Sequence, residues 1–175
     1  MRRVLAAILL LAAPAAAADM AVVGDLHIET PMLRATAPNA PVAGGFLRIE
    51  NTGPTDDVLI EAAIAEDVAS TVELHAMAMN DGVMSMFEVE GGIELPAGET
   101  VTLMPGGLHI MLMGLQQPLS EGEVHAVTLT FAQAGEITLE MPVRNLGEIR
   151  AAFEADGAGH SDAGHGDGHG AHHGN

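Results

Sequence analysis

Turn signals recur along this chain at intervals too short for ordinary helices. Pro38-Asn39-Ala40-Pro41, Asn51-Thr52-Gly53-Pro54, Asn80-Asp81-Gly82, Pro96-Ala97-Gly98 and Pro105-Gly106-Gly107 punctuate it, each combining residues that turn the backbone or remove a hydrogen-bond donor. Between them lie short apolar or alternating runs at 22–29, 45–51, 58–63, 71–77, 83–89, 100–104, 108–114, 124–131 and 137–143. A period of two places successive side chains on opposite faces of a strand. Many short strands separated by turns predict an all-β sandwich or barrel. Asn80-Asp81-Gly82, between two methionine-bearing runs, predicts a hairpin. Only 62–69, rich in alanine, leaves room for a short helical turn, and no internal repeat is evident.

The two ends differ from this pattern. Residues 1–18 read as a cleavable signal peptide: Arg2 and Arg3 precede a short apolar run, and Ala16-Ala17-Ala18 offers a cleavage site. Residues 19–150 form the expected domain. Residues 151–175 form an expected disordered tail, with Gly, His, Asp, Ala and Ser dominating from about Asp156. His160, His165, His169, His172 and His173 lie in it, and imidazole with carboxylate suits a borderline divalent ion such as Cu(II), Ni(II) or Zn(II). The chain carries 24 Asp+Glu against 6 Lys+Arg, none of them lysine. Such a charge balance excludes phosphate-driven nucleic-acid binding as a function class. No segment after the leader is expected to insert into a membrane. The absence of cysteine excludes a disulfide, a thiolate ligand and a lipid-bearing cysteine within these residues. These features together predict a soluble periplasmic protein.

The candidate site comes from strand parity. In 108–115, LHIMLMGL, a strand puts His109, Met111 and Met113 on one face and Leu108, Ile110 and Leu112 on the other. Upstream, His75, Met77 and Met79 share a face, as do Met84 and Met86, and pairing across Asn80-Asp81-Gly82 would set these rows side by side. Imidazole with thioethers favours a soft ion, and thioethers favour Cu(I) over Zn(II), Ca(II) and Mg(II). Methionine needs no deprotonation and forms no disulfide in an oxidising compartment. It also fills cores well, so the residues alone leave a copper site and a methionine-rich core both open. Met32, Met104 and Met141 read as core or edge residues. A blue-copper electron carrier would need a cysteine ligand. His27 and His125 have no partner pattern for catalysis, so an enzyme is not expected.

The run His75-x10-Met86-x22-His109-x-Met111 resembles the copper pattern of the periplasmic PCu(A)C copper chaperones, His-x10-Met-x21-His-x-Met. The surroundings ELHAMAMNDGVMSM at 73–86, ELPAGETVTLMPGGLHIMLMGLQQPL at 94–119 and APNAPVAGGFLRIENTG at 37–53 extend the likeness from about Ala21 to Arg144. The interval from Met86 to His109 is one residue longer than in the family, and Glu90-Gly91-Gly92 offers a turn to absorb it; Met84 is the alternative ligand. Leu108 stands where the family often has an aromatic residue.

The resemblance implies a cupredoxin-like Greek-key β-sandwich in which His75, Met86, His109 and Met111 hold one Cu(I) near the surface, with Met77, Met84 and Met113 as auxiliaries. It implies delivery of copper toward the CuA centre of cytochrome c oxidase, with the CuA-bearing subunit and a Sco-type thiol protein as partners. It also implies capture of Cu(II) by the histidine-rich tail. Storage or sequestration without a delivery target needs the same ligands and is the alternative.

Overall fold

The computed structural model describes residues 20–80 and 82–157. The expected signal peptide and the five tail histidines lie outside the described residues. Eleven strands and one helix follow in order: β1 Met20–Val23, β2 Leu26–Arg34, β3 Val42–Asn51, β4 Asp57–Ile64, β5 Ala69–Asn80, β6 Val83–Glu88, β7 Ile93–Leu95, β8 Thr100–Leu103, β9 His109–Leu115, β10 Val124–Phe131, β11 Gly135–Arg144 and α1 Leu146–Gly157.

The strands hydrogen-bond in the order β6-β5-β9-β3-β2-β11-β10-β4-β7, with β1 joined to β2 and β8 to β3. Strand β11 links the two halves of this path. It pairs antiparallel with β10 from Gly135 to Pro142, and its last residues, Val143 and Arg144, lie parallel to Leu33 and Arg34 of β2. Leu26, Ile28, Leu33, Leu47, Ile49, Leu103, Ile110 and Leu112 from one half share a core with Leu59, Leu95, Val127, Leu129, Leu139 and Met141 from the other. These alternate along each strand with neighbours on the opposite, outer face, as an inward face requires. The fold is a β-sandwich.

Differences from the sequence reading have local causes. The run 22–29 is two strands, because Gly24 at φ 56° turns the chain between β1 and β2. Strand β7 spans three residues before Pro96, too few to display a period. The alanine-rich segment continues as strand to Ile64; Val68 and Ala69 N–H groups then donate to the Ala65 carbonyl in a turn.

The larger correction is at the C-terminus. The domain does not end at 150: α1 runs on to Gly157, across the expected start of the tail. Ile149, Ala152 and Phe153 form its apolar stripe at helical spacing, and they pack with Met32 and Phe46 on the outer face of β2 and β3. The helix is capped reciprocally. Asn145 Oδ1 accepts from the Glu148 N–H at 3.0 Å, and Glu148 Oε2 accepts from the Asn145 N–H at 3.2 Å. An Asn-x-x-Glu capping signature was therefore present in the sequence.

The outer face of β2 and β3 becomes available to α1 through a bulge. The β2–β3 register shifts between Glu29 and Met32, and Thr30 sits there at φ 55°. Such a bulge bends its strand; past it, Met32 pairs with Phe46 under the helix while Leu33 enters the main core.

Candidate metal centre

The free part of the same outer face, beyond α1, belongs to β6, β5, β9 and the start of β3. Asn80 pairs with Val83 across the expected hairpin, and the ladder continues through Met79↔Met84, Met77↔Met86 and His75↔Glu88. On the other side of β5, His75 pairs with His109 and Glu73 with Met111; Met111 in turn pairs with Gly44 of β3. Paired residues point to the same face. Both histidines and the methionine rows therefore line one surface, while Leu74, Ile110 and Leu112 face the core.

His75 and His109 lie with ring centroids 5.9 Å apart. His109 is buried and oriented by the Met-Pro-Gly-Gly turn before it: its Nδ1–H donates to the Gly107 carbonyl at 3.0 Å. The same carbonyl accepts the Met77 N–H at 3.2 Å, tying the turn to β5. With Nδ1 protonated, the Nε2 of a neutral ring carries a lone pair, and that nitrogen faces the Met86 sulfur at 3.2 Å. His75 is held the other way round. Its Nε2 lies 2.8 Å from Glu73 Oε2, and an ionised carboxylate only accepts, so Nε2 carries the proton. Nδ1 of His75 is left as the buried side-chain nitrogen without a hydrogen-bond partner among the described residues.

Buried polar atoms are nearly always paired, so an orphaned imidazole nitrogen beside a second imidazole is unusual. Two lone-pair atoms, His109 Nε2 and Met86 Sδ, also face each other. Nitrogen and sulfur ligands sharing one tetrahedral d10 ion sit about 3.5 Å apart, taking Zn–N and Zn–S lengths as a guide. The observed 3.2 Å needs little adjustment to reach that. Among the described residues no three His, Asp or Glu groups converge to hold a metal. Two imidazoles beside thioethers are a chemistry that suits a soft ion and not a hard one.

The other sequence-derived residues lie at differing distances from this point. Met86 adjoins His109, whereas Met84 lies two ladder pairs nearer the hairpin, opposite Met79. The ladder is unbroken through Glu88, and the Val89 N–H still donates to Leu74, so the longer interval to His109 falls after Met86. Gly91 and Gly92, in the turn expected to absorb it, are both at positive φ; a Cβ on Gly92 would collide with the Leu59 carbonyl oxygen. Met77, Met86, His109 and Met111 line one cleft. Met113 is two ladder pairs farther along β9, beside Thr71, and half-buried. Met79, Met84 and Met86 are 63%, 50% and 49% exposed, so the thioether side of the cluster opens to solvent. Met32 and Met141 are core residues and Met104 is a partly exposed edge residue. His125 lies 3.4 Å from Glu123 on β10, and His27 pairs with Val22 on β1, each on strands away from the cluster.

Two contributors escaped the sequence reading. Glu73 shares the parity of His75, two residues on, and that was the signal for it. Gly44 forms the cleft floor: a Cβ there would lie 2.7 Å from the Phe46 ring, so its absence lets that ring reach toward the site.

Residues 26–143 match the family described as "Putative lipoprotein LpqE-like". The chain belongs to the LpqE-like family. One relative, a "Putative lipoprotein" of Leifsonia xyli subsp. xyli, is 35% identical over 110 residues, which is 63% of this chain and 65% of that protein. The chain thus spans just under two thirds of that relative's length. Among solved structures, the apo PCuAC domain from PmoF1 superposes with a TM-score of 0.60 at 28% identity, covering 72% of this LpqE-like chain and 98% of that one. The copper-bound PCuAC domain from PmoF2 gives 0.60 and 28%, covering 72% and 97%. The Cu(I) form of DR1885 from Deinococcus radiodurans gives 0.53 and 25%, covering 73% and 82%. The fold of this LpqE-like chain is the cupredoxin-like β-sandwich of PCuAC domains.

Proposed function

We propose that this protein is a copper carrier of the cell envelope, holding one Cu(I) on His75, Met86, His109 and Met111 and delivering it toward a CuA centre. The observation that carries this reading is His109 Nε2 facing the Met86 sulfur at 3.2 Å, with the ring of His75, whose Nδ1 is orphaned, centred 5.9 Å from that of His109. The likeness to PCuAC domains, two of them solved with copper or Cu(I), supports the choice of metal. The "lipoprotein" names of the family and its relative support export, and the expected signal peptide at 1–18 would direct it to the periplasm.

Copper here is cargo, so the site must both hold and release it. Each histidine offers one nitrogen, with the other ring position already committed to Glu73 or to Gly107. Fixing the tautomer in this way orients the ring and strengthens the ligand. The exposed sulfur of Met86 is the side from which a partner's ligands can enter, giving a shared intermediate and then exchange down the affinity gradient. A Sco-type thiol protein or a CuA subunit supplies thiolates that win this exchange. The chain has no cysteine, so Cu(II) captured by His160, His165, His169, His172 and His173 must be reduced by an external donor before it suits the thioether site. No step in this scheme makes or breaks a covalent bond in a substrate, which is the behaviour of a carrier and not of an enzyme.

The role of Glu73 is separately measurable. Glu73→Ala frees the His75 ring to adopt either tautomer, and Cu(I) affinity is expected to fall about tenfold, the lower end of what loss of an outer-shell partner costs. Glu73→Gln, whose amide oxygen still accepts, is expected to lose less; competition titration with a Cu(I) chelator reads both. Delivery is tested by mixing the Cu(I)-loaded protein with a soluble apo CuA domain. Copper should move to the acceptor with the appearance of the acceptor's metal-bound spectrum. Retention on the donor would instead indicate storage.

A further inference from the structure

Among the described residues of this acidic chain, the arginines lie close to one another. Arg34 of β2 and Arg144 of β11 are register partners on adjacent parallel strands, Arg150 lies on α1, and Arg48 of β3 sits over the Phe153 ring of the same helix at 5.9 Å from its centroid. Arg48 also approaches Glu29 at 4.0 Å. Arg34, Arg144 and Arg150 have no carboxylate partner among the described residues. Like charges set side by side on paired strands repel, so this arrangement favours a bound negative group.

Arg34 and Arg150 line one end of a cleft of about 620 Å³ between α1 and the His/Met face. Its other end is formed by Met77, Met86, His109 and Met111, and its floor by Val42, Gly44 and Phe46. The cleft therefore joins two guanidinium groups, an apolar floor and the half-exposed metal ligands in one continuous surface. A formal net charge of −18 makes that cationic end an exception on this molecule, and a local field of opposite sign steers partners and fixes their register.

We propose that this cleft is the docking groove for an acidic segment of the copper-accepting protein, with its carboxylates at Arg34 and Arg150 and a metal-binding side chain reaching Met86 and His109. The proposal rests on the carrier reading above and adds the chemistry of the partner. Pairing at the cationic end sets the segment's register, so the incoming ligand arrives on the open side of the cluster. An acidic acceptor would otherwise be repelled by the rest of the surface.

The test uses the full chain and a fluorescein-labelled synthetic dodecapeptide with methionines flanked by aspartates. Fluorescence anisotropy without metal should show binding that weakens with added salt. Arg34→Glu combined with Arg150→Glu should weaken it at least tenfold, as should replacing the peptide aspartates with asparagine. Both arginines are exposed, so the variant should fold, and its Cu(I) affinity should match that of the unaltered protein. Because the binding is read without metal, a chain that fails to hold Cu(I) would overturn the carrier reading and leave the groove measurement standing. Equal binding by the charge-reversed protein, or by the asparagine peptide, would overturn the groove. So would tighter peptide binding by Asp162→Asn with Asp167→Asn, which would make the chain's own tail the occupant. A salt-sensitive dimer abolished by the arginine changes would overturn it in favour of a second copy.

Discussion

Replacing His109 and Met111 together by alanine is expected to abolish stoichiometric Cu(I) binding by residues 20–157 while leaving the fold intact. The loss should exceed about 100-fold in affinity, above the range of about 10- to 100-fold that removing an outer-shell partner produces, because two of four donors disappear. The fold should survive for local reasons. His109 gives up one hydrogen bond, to a Gly107 carbonyl that still accepts the Met77 N–H. Met111 lies on the outer face, opposite the core residues Ile110 and Leu112. The stability cost should then be about 1–2 kcal/mol, readable from the urea midpoint. Retained one-to-one Cu(I) binding in this double variant would remove the site from the outer face of β9.

The second large effect concerns stability alone. Asp57 is buried at the start of β4, and its carboxylate accepts three backbone N–H groups: Val58 at 2.7 Å, Gln133 at 2.9 Å and Ala134 at 2.9 Å. It thereby fastens β4 to the turn between β10 and β11, where the two strands meet at Phe131↔Gly135. Asp57→Ala would strand three donors, each costing about 1–3 kcal/mol if unsatisfied. With partial rescue by water, a loss of about 3–5 kcal/mol is expected, a large share of the roughly 5–15 kcal/mol that holds a domain together. Chemical denaturation should show a lower midpoint with an unchanged slope. Asp57→Asn keeps one acceptor oxygen and should lose less. Cu(I) affinity in the still-folded Asp57→Ala protein should be unaltered, because Asp57 borders a different cleft from the His/Met cluster. A coupled loss of metal binding would mean that the two ends of the sandwich are not independent.

How far the site could be read from sequence depended on the range of the interaction. Parity within a strand is local, so the rows His75-Met77-Met79 and His109-Met111-Met113 were legible from spacing alone. The β5–β6 register was nearly as local, because a tight hairpin at Asn80-Asp81-Gly82 fixes it. The neighbour relation of β5 and β9 was not. Residues 81–108 and three strands, β6, β7 and β8, intervene, and nothing local specifies which strand lies beside which; the resemblance supplied it. Parity also left each methionine free to be core or ligand, and burial separated them: Met141 is enclosed while Met86 is half open.

The misses share a cause as well. Helix α1 has a sparse apolar stripe and two glycines, and it is helical chiefly because Ile149 and Phe153 bury against Met32 and Phe46, a tertiary contact that propensity does not report. Its capping pair, Asn145 and Glu148, was the local clue. The arginine cluster gathers residues from β2, β11 and α1, far apart in sequence, and could be seen only once those elements were placed.

The measurement that bears most directly on the central claim is an anaerobic Cu(I) titration against a competing chelator. It should be made on the chain ending at Gly157, with the full chain run in parallel for Cu(II). Ending there keeps α1 whole, which a cut at 150 would not. One tightly held Cu(I) per shortened chain is expected, with Cu(II) uptake only when His160, His165, His169, His172 and His173 are present. A shortened chain that holds no Cu(I) would contradict it, and would leave the methionines of β5, β6 and β9 as surface packing without a metal.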